Sequence, residues 1–156
     1  MMIRRANEND MAEINGLLHQ VLEIHHAGRP DLFKKNTKKY TDAQLKELLQ
    51  DETRPVFVNV NENGQVTGYV FCVFQQHSND NIFTDMKTLY IDDLCVDKTA
   101  RGQHIGKKLY QYVVEFAKKH GCYNITLNVW VCNESAMKFY ESCGLTPQKI
   151  GMEMIL

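Results

Sequence analysis

The sequence predicts an α/β (α+β) fold with a mixed, mostly antiparallel central sheet flanked by helices. Two β-rich runs, residues 56–60 and 66–74, are separated by Asn63-Gly64, a pair that favours the tight turn of an antiparallel hairpin. Further along, strand-like and helix-like segments alternate, which is typical of a strand–helix–strand crossover. No repeat or linker divides the chain, so we expect residues 1–156 to form one domain.

The start of the chain predicts one short strand and one long helix. Residues 2–6 are strand-like. Asp10 and Glu13 have the spacing of a capping box, in which each side chain satisfies a free backbone donor of the other. Apolar residues at helical spacing follow, and Gly28 ends the helix.

Between this helix and the hairpin, the sequence predicts irregular chain and a second helix. The stretch from residue 31 to residue 40 is rich in lysine, and such a run is usually solvated surface. Thr41 and Gln44 form a second capping-box pattern, which opens a short helix. After the hairpin, residues 78–85 are polar and are predicted to be a loop.

The rear half is predicted to alternate strands and helices before a closing strand. Each helix is followed by a glycine suited to a C-terminal cap, Gly121 or Gly144. The predicted elements are a strand at 89–96, a helix at 104–120, a strand at 123–131, a helix at 133–143 and one or two closing strands at 147–156.

Composition narrows the class of partner. Apolar residues make up 44% and charged residues 24%, which is ordinary for a soluble globular protein. The 18 basic and 19 acidic side chains give a net charge of -1, so no basic excess supports a nucleic-acid partner. We find no apolar run long enough to cross a bilayer and no signal-like start, so we expect a cytoplasmic protein without a membrane partner.

The cysteines and histidines show no metal-ligand or disulfide pattern. The five cysteines are odd in number and contain no CxxC pair, which favours reduced and mostly buried thiols. The six histidines lack metal-ligand spacing, so we expect no metal.

The loop Arg101-Gly102-Gln103-His104-Ile105-Gly106 lies between a predicted strand and a predicted helix. The free N–H groups and the positive dipole end of a helix N-terminus bind phosphate oxygens, and glycines let the backbone approach the anion. Lys107 and Lys108 add positive charge. A glycine-containing turn before a surface helix would show the same pattern, so the loop alone does not decide.

Two common phosphate-binding patterns do not fit this loop. The Walker pattern requires Ser or Thr after its Gly-Lys, but Lys107 is followed by Lys108. The spacing of the glycines also differs from the G-x-G-x-x-G of dinucleotide-binding folds.

The loop resembles motif A of the GNAT superfamily of N-acetyltransferases, Arg/Gln-x-x-Gly-x-Gly/Ala. Residues 91–96, upstream, look like the fourth strand of that family. Residues 133–145, downstream, are similar to its motif B, in which Asn-x-x-Ala is followed by Phe-Tyr and then by Gly-Phe or Gly-Leu. The ordered recurrence of three segments is much more specific than any one of them. Residues 25–31 also look like a stretch of small bacterial members.

The resemblance implies acetyl-coenzyme A (acetyl-CoA) as co-substrate. In the family, backbone groups at the end of the fourth strand pair with the pantetheine arm, the motif A amides hold the pyrophosphate, and the motif B Asn contacts the cofactor. Asn133 is also a natural helix N-cap. The implied cofactor-binding residues are Leu94, Cys95, Val96, Arg101, Gly102, Gln103, His104, Ile105, Gly106, Lys107 and Asn133.

Tyr140 matches the general acid of the family, which protonates the departing thiolate of coenzyme A. An ordinary tyrosine pKa of about 10 keeps the hydroxyl protonated at neutral pH, as this role requires. The alternative is a core aromatic residue beside Phe139 on an amphipathic helix.

Asp92 and Asp93 are the candidate catalytic bases, since the attacking amine must lose a proton. Asp92 matches the acid of the similar Glu-Asp-Phe-Phe-Val segment in spermidine/spermine acetyltransferases, and Asp93 is the reserve. Adjacent strand residues are expected to point to opposite faces. The alternative is that both are solvent-exposed or ion-paired.

His104 departs from motif A, which usually has Gly at this position. We hypothesise that its side chain points outward, leaves the backbone amide usable, and makes cofactor affinity rise as pH falls, because a bound pyrophosphate favours the imidazolium.

Together these features predict direct transfer of an acetyl group from acetyl-CoA to a primary amine, in a protein that the resemblance suggests is a possible homodimer. We expect residues 25–40 and 75–85 to line the acceptor pocket. Polyamine, amino acid, aminoglycoside and protein N-terminus all remain open as acceptors. A non-catalytic acyl-CoA sensor of the same fold and an enzyme with an acyl intermediate on Cys95 or Cys143 are the alternatives.

Overall fold

Five strands form one sheet in the order β1-β2-β3-β4-β5. The structure is a computed structural model that describes residues 1–156. The first three strand pairs are antiparallel and β4–β5 is parallel, which confirms the predicted mixed, mostly antiparallel sheet. The strands are β1 Met2–Arg5, β2 Val56–Val60, β3 Val66–Gln76, β4 Lys87–Val96 and β5 Asn124–Leu127.

Four helices flank the sheet, and three of them pack against its two faces. They are α1 Met11–Gly28, α2 Asp42–Gln50, α3 Ile105–Lys119 and α4 Glu134–Ser142. Leucines of α1 and α2 pack with Tyr69 and Phe71 on one face of the sheet. Ile105, Leu109 and Val113 of α3 pack on the other face. The predicted helical stripes therefore point where their periodicity requires.

The predicted hairpin is confirmed as β2–β3. Gly64 has a φ of 79°, the left-handed conformation that glycine adopts without a steric penalty. The Asn61 side chain accepts hydrogen bonds from the amides of Asn63 and Gln65 at 3.0 and 2.9 Å, which holds the turn.

Of the two predicted capping boxes, one is confirmed and one is wrong. Thr41 and Gln44 exchange side chain–backbone hydrogen bonds at the start of α2. Asp10 instead pairs with the amide of Asn7, in a box that opens a short 3-10 turn, and with Arg4. The Glu13 carboxylate accepts from the amide of Val66. A carboxylate so close to β1 and β3 finds stronger partners than the helix end offers.

The predicted closing strands at residues 147–156 are wrong. That stretch contains no strand, and the strand predicted at 123–131 is shortened to Asn124–Leu127. Alternating apolar residues suit a strand, but a strand forms only where a neighbouring backbone supplies hydrogen bonds. Within this chain no segment pairs with residues 147–156.

Candidate functional site

The candidate site opens where β4 and β5 separate. Their parallel pairing ends at Ile91 and Leu127, while β4 continues to Val96 with β3 alone as its neighbour. The backbone of Leu94, Cys95 and Val96 therefore faces a cleft of about 2050 Å³ on its unpaired side. The same cleft is lined by the start of α3 and by α4.

Six consecutive backbone amides at the start of α3 are free. The amides from Gly102 to Lys107 donate no hydrogen bond to any protein acceptor. Gly102 and His104 have φ values of 83° and 60°, so the loop turns sharply before the helix begins at Ile105. Free amides at a positive dipole end form a good anion-binding site, and Lys107 on the cleft wall adds charge.

His104 occupies a left-handed backbone position, which is uncommon for residues other than glycine, although Asn, Asp and His adopt it more often than the rest. Its side chain is exposed and makes no capping hydrogen bond. His104 also lines the cleft, so the outward direction of its imidazole and the pH effect on cofactor affinity both stay predictions.

Gly106 is the residue of α3 at which α4 packs closely. A Cβ at this position would lie 3.3 Å from two ring carbons of Phe139 and 3.5 Å from Val96. The second glycine of the loop therefore has a packing role besides any role in anion binding, since it lets α4 approach the end of β4 closely.

Helix α4 carries Asn133 and Tyr140 to the cleft. The Asn133 side chain accepts from the amide of Ala136 at 3.2 Å, so it caps the helix as expected. Burial raises the pKa of Tyr140 far above its usual value, and the negative charge of Asp93 adds to the effect. The Tyr140 hydroxyl therefore stays protonated throughout the physiological range.

Asp92 lies in a β-bulge, which corrects the expectation that Asp92 and Asp93 point to opposite faces. Phe71 pairs with Asp93 and Cys72 pairs with Ile91, so Asp92 has no partner on β3. The extra residue changes the alternation of the strand: Ile91 packs with the α3 cluster, while Cys95 packs with the α1–α2 cluster. Both carboxylates consequently act on the same ammonium group, that of Lys39.

Asp93 is partly buried and is bonded to Tyr69, whose hydroxyl donates to Oδ2 at 2.6 Å. Burial raises the pKa of Asp93, and this effect exceeds the opposing stabilisation of the charged form by Tyr69 and by Lys39. A carboxyl group with a raised pKa inside a cleft is suited to proton transfer near neutral pH. Tyr69 was not identified from the sequence, because a tyrosine in an apolar strand resembles an ordinary core residue.

Asp92 has 29% of its side chain exposed, and it pairs with Lys39 at 3.0 Å. Burial opposes the charge of Lys39, but Asp93 and Asp92 raise the pKa of this lysine overall. Lys39 is nevertheless exposed, as are its neighbours Lys34, Lys35 and Lys38, so the lysine-rich stretch is solvated surface as predicted.

An aromatic wall, formed by His25, Phe33 and Trp130, borders the same cleft. The Phe33 ring lies 5.0 Å from His25 and 5.3 Å from Trp130. Burial lowers the pKa of His25. Residues from the 25–40 stretch line the cleft as predicted, but the loop at 75–85 does not, since the strands that carry it point that loop elsewhere.

All five cysteines are free thiols, and two of them, Cys72 and Cys95, are buried as expected. Burial raises the pKa of each of these two to about 12. Cys132 is exposed, against expectation, next to Gly28. No three His, Cys, Asp or Glu side chains lie where they could hold a metal ion, and no helix is long and apolar enough to cross a membrane.

Comparison with known proteins connects this geometry to a family. Residues 18–145 match the model of the acetyltransferase (GNAT) family. A mutant of the BH1408 protein from Bacillus halodurans has a crystal structure that is 34% identical, covers 100% of this chain and 99% of its own, and superposes with a TM-score of 0.96.

Two curated relatives are named N-acetyltransferases. The thialysine N-epsilon-acetyltransferase of Bos taurus is 28% identical over 154 residues, 92% of this chain and 83% of that protein. The glucosamine 6-phosphate N-acetyltransferase of Arabidopsis thaliana is 35% identical over 66 residues, 42% of each chain. The aligned part spans about two fifths of the length of the curated relatives matched first. By its sequence and by its fold, this chain belongs to the GNAT family of acetyltransferases.

Proposed function

We propose that the protein is an N-acetyltransferase that moves the acetyl group of acetyl-CoA directly to a primary amine of a small molecule or peptide. The observation that carries this proposal is the cluster of Asp93, Tyr69 and Tyr140 beside the unpaired end of β4. A proton acceptor and a proton donor there adjoin a backbone edge and an anion-binding helix start.

The cofactor would lie along the cleft between β4 and α4. The free amides from Gly102 to Lys107 are suited to the pyrophosphate, and the Lys107 side chain adds charge. The unpaired backbone of Leu94, Cys95 and Val96 offers the pantetheine arm a hydrogen-bonding edge. Asn133, at the start of α4, completes the set on the opposite wall.

The reaction needs one proton acceptor and one proton donor. The amine nitrogen attacks the thioester carbonyl carbon, a C–N bond forms, and the C–S bond breaks. Asp93 takes the proton that the amine loses, and Tyr140 gives a proton to the departing thiolate. The products are the acetylated amine and coenzyme A, with both protons accounted for.

Asp93 is a better base than Asp92 in this arrangement. The Asp92 carboxylate already pairs with the Lys39 ammonium at 3.0 Å and would have to give up that partner. Asp93 has a raised pKa and contributes to the electrostatic environment of Tyr140. Lys39 and Asp92 then serve to position the acceptor and the base.

An acyl intermediate on cysteine has less support. A cysteine nucleophile reacts as the thiolate, but burial holds the pKa of Cys95 at about 12 and also raises that of Cys143. No histidine hydrogen-bonds either sulfur.

The test is an acceptor screen of the purified protein with acetyl-CoA, measuring free thiol release and the mass of the product. The panel holds a polyamine, lysine analogues, an amino sugar phosphate, an aminoglycoside and a peptide N-terminus. We expect at least one amine to be acetylated. Coenzyme A binding without turnover on the whole panel would contradict the proposal and favour a sensor.

The base is tested with Asp93→Asn. We expect kcat to fall on the order of 10²- to 10⁴-fold, as for loss of a general base, with coenzyme A affinity unchanged. Asp85→Asn, an exposed loop residue outside the cleft, is the matched control. Full activity of Asp93→Asn would rule out Asp93 and return the role to Asp92.

A further inference from the structure

One lysine of the lysine-rich stretch differs from the others in its position. The Lys39 side chain lines the cleft, and its ammonium nitrogen lies 3.0 Å from Oδ2 of Asp92. Three lysines of the same stretch do not line the cleft: Lys34, Lys35 and Lys38. With 41% of its side chain exposed, Lys39 is also accessible. A primary amine of the chain itself therefore reaches the proposed acceptor region.

The residue after Lys39 explains this placement. The Tyr40 ring stacks on Phe71, with the ring centroids 6.1 Å apart, and Phe71 is the β3 partner of Asp93. Tyr40 thus anchors the irregular segment between α1 and α2 against the sheet. Lys39, one residue earlier, is held beside the two carboxylates of β4, while its four-carbon stem lets the amine move.

The proposed position of acetyl-CoA brings its reactive end to the same place. The pyrophosphate would lie on the free amides of residues 102–107, and the pantetheine arm would follow the backbone of residues 94–96. The free edge of β4 stops at Ile91, where β5 pairs with it, so the arm cannot extend further along the strand. The thioester would therefore lie near Asp92 and Asp93, the same carboxylates that face the lysine ammonium.

We propose that Lys39 is a site of self-acetylation, at which the acetyl group of bound acetyl-CoA passes to the lysine of the same chain. This inference rests on the proposed acetyl-transfer function and adds a second acceptor to it. Lys39 competes with a free amine for the acetyl group. It reacts only once, because the nitrogen of the resulting amide is no longer a nucleophile.

The transfer uses the groups of the proposed reaction. The Lys39 ammonium gives one proton to Asp93 and becomes a neutral amine. Its nitrogen attacks the thioester carbonyl carbon, a C–N bond forms, the C–S bond breaks, and Tyr140 protonates the departing thiolate. The nitrogen then releases a second proton, which restores Tyr140 through water, and Asp93 returns its proton to the solvent. The products are acetylated Lys39, coenzyme A and one free proton.

The ion pair with Asp92 limits how fast Lys39 reacts. The two carboxylates raise the pKa of Lys39 overall, so the neutral amine is a minor form at neutral pH. Ion pairs of accessible side chains are weak, however, and a thioester bound beside the amine makes the reaction intramolecular. We therefore expect slow, stoichiometric modification of the chain.

Self-acetylation also changes the acceptor end of the cleft. The neutral amide leaves Asp92 without its ion-pair partner and removes a positive charge that stabilises the carboxylate of Asp93. The modified chain then presents both carboxylates to an acceptor without a counter-charge of its own.

The experiment incubates the full-length protein with acetyl-CoA in an amine-free buffer and maps acetyl groups by mass spectrometry, after digestion with a protease that does not cleave at lysine. We expect one acetyl group per chain, on Lys39, formed at a rate that is independent of protein concentration. Acetylation of Lys39 should be on the order of 100-fold faster than that of Lys38, because the thioester is bound beside it. An acetyl group that Lys39 already carries after purification counts as the same result.

Lys38→Arg is the matched control, since Lys38 is the adjacent residue and pairs with Asp42 outside the cleft. It should leave the acetylation unchanged. Lys39→Arg should abolish the modification, and Asp93→Asn should slow it on the order of 100-fold. Equal rates at Lys39 and Lys38 would overturn the proposal, because they would show chemical acetylation from solution. A rate that rises with protein concentration would overturn it too, because the copies would then modify one another.

The acceptor screen, run on the same preparation, separates this inference from the proposed function. Turnover of a free amine without acetylation of Lys39 would overturn self-acetylation alone. Acetylation of Lys39 without turnover of any amine would support self-acetylation and contradict a free amine as acceptor. A protein that binds coenzyme A but shows neither reaction would overturn both.

Discussion

Residues 1–117 and residues 118–156 are packed in different ways. All of the buried residues lie between Ala6 and Ala117, and none lies in residues 118–156. We call the first part the platform and the second part the wall. The platform holds nearly the whole sheet and three helices, whereas the wall holds β5, α4 and the C-terminal tail, residues 147–156.

The candidate site lies between these two parts. The platform contributes Asp93 and Tyr69, whose hydrogen bond is fixed inside the sheet. The wall contributes Asn133 and Tyr140 from α4, which has no fully buried residue. Stability therefore resides on one side of the cleft, and the wall has fewer buried contacts that hold it in one position.

The largest expected effect comes from truncating a core leucine on each side. Leu109→Ala removes a fully buried side chain of the platform and should lower the free energy of unfolding by about 3 kcal/mol. Leu127→Ala removes a partly buried side chain of the wall and should cost about 1 kcal/mol. Urea unfolding of both variants at one protein concentration measures the difference. Equal losses would mean that the two parts are equally packed in solution.

The next effect is catalytic and lies in the wall. Tyr140→Phe removes the proposed proton donor, so we expect kcat to fall about 100-fold. Because burial keeps the Tyr140 hydroxyl protonated far above neutral pH, the loss should be similar across the whole accessible pH range. Tyr112→Phe, on the outward side of α3, is the control. A variant with normal kcat would leave Tyr140 as a packing residue.

The matching substitution in the platform, Tyr69→Phe, should change the pH dependence of activity instead. The Tyr69 hydroxyl stabilises the charged form of Asp93, so Tyr69→Phe should raise the pKa of Asp93 further. The base works when deprotonated, so the acid limb of kcat/KM should move to higher pH. At neutral pH we expect a fall of roughly 10-fold, recovered at high pH. A loss that is constant with pH would show that Tyr69 does not act through Asp93.

The pH profile of kcat/KM should be measured with several acceptor amines that differ in pKa. A limb whose midpoint shifts with the pKa of the amine reports ionisation of the substrate, whereas a limb that stays at the same pH reports a group of the enzyme. Deprotonation of Asp93 has the opposite effect on the stability of the fold from its effect on activity. Since the folded-state pKa of Asp93 is raised, this group stabilises the fold at low pH and loses that contribution as pH rises through its folded-state pKa.

Local patterns were sufficient to predict the helices, the hairpin and the turn before α3. Each depends on residues three to six apart, such as Thr41 with Gln44 or Gly102 with Gly106. The bulge at Asp92 could not be predicted, because it is a property of the β3–β4 register and not of β4 alone. It is also the feature that changes the alternation of β4 between Ile91 and Asp93.

Two further features have non-local causes. Lys39 belongs to a run of lysines, and its contact with Asp92 depends on how the loop after α1 folds over the sheet. The tail has the alternation of a strand, but none of its backbone groups pairs with another segment of the chain. Periodicity predicts what a segment can form and leaves open which partner it meets.

The smallest expected effect concerns His104, where the backbone of the platform would meet the proposed cofactor. A left-handed φ of 60° is unfavourable for histidine, and glycine removes that penalty while adding entropy to the unfolded chain. We therefore expect His104→Gly to stabilise the protein by no more than about 1 kcal/mol, measured by urea unfolding.

The same variant decides whether the imidazole takes part in binding. His104 stands at the start of α3, where a bound pyrophosphate would favour its protonated form over the opposing effect of the helix dipole. Wild-type affinity for coenzyme A should then increase as pH falls from about 8 to about 6, the range in which imidazoles titrate, and the glycine variant should lack that increase. Calorimetric titrations of both proteins at the two pH values test this directly. If both proteins show the same pH dependence, the loop binds through its amides and Lys107 alone, and His104 is a tolerated substitution at a glycine position.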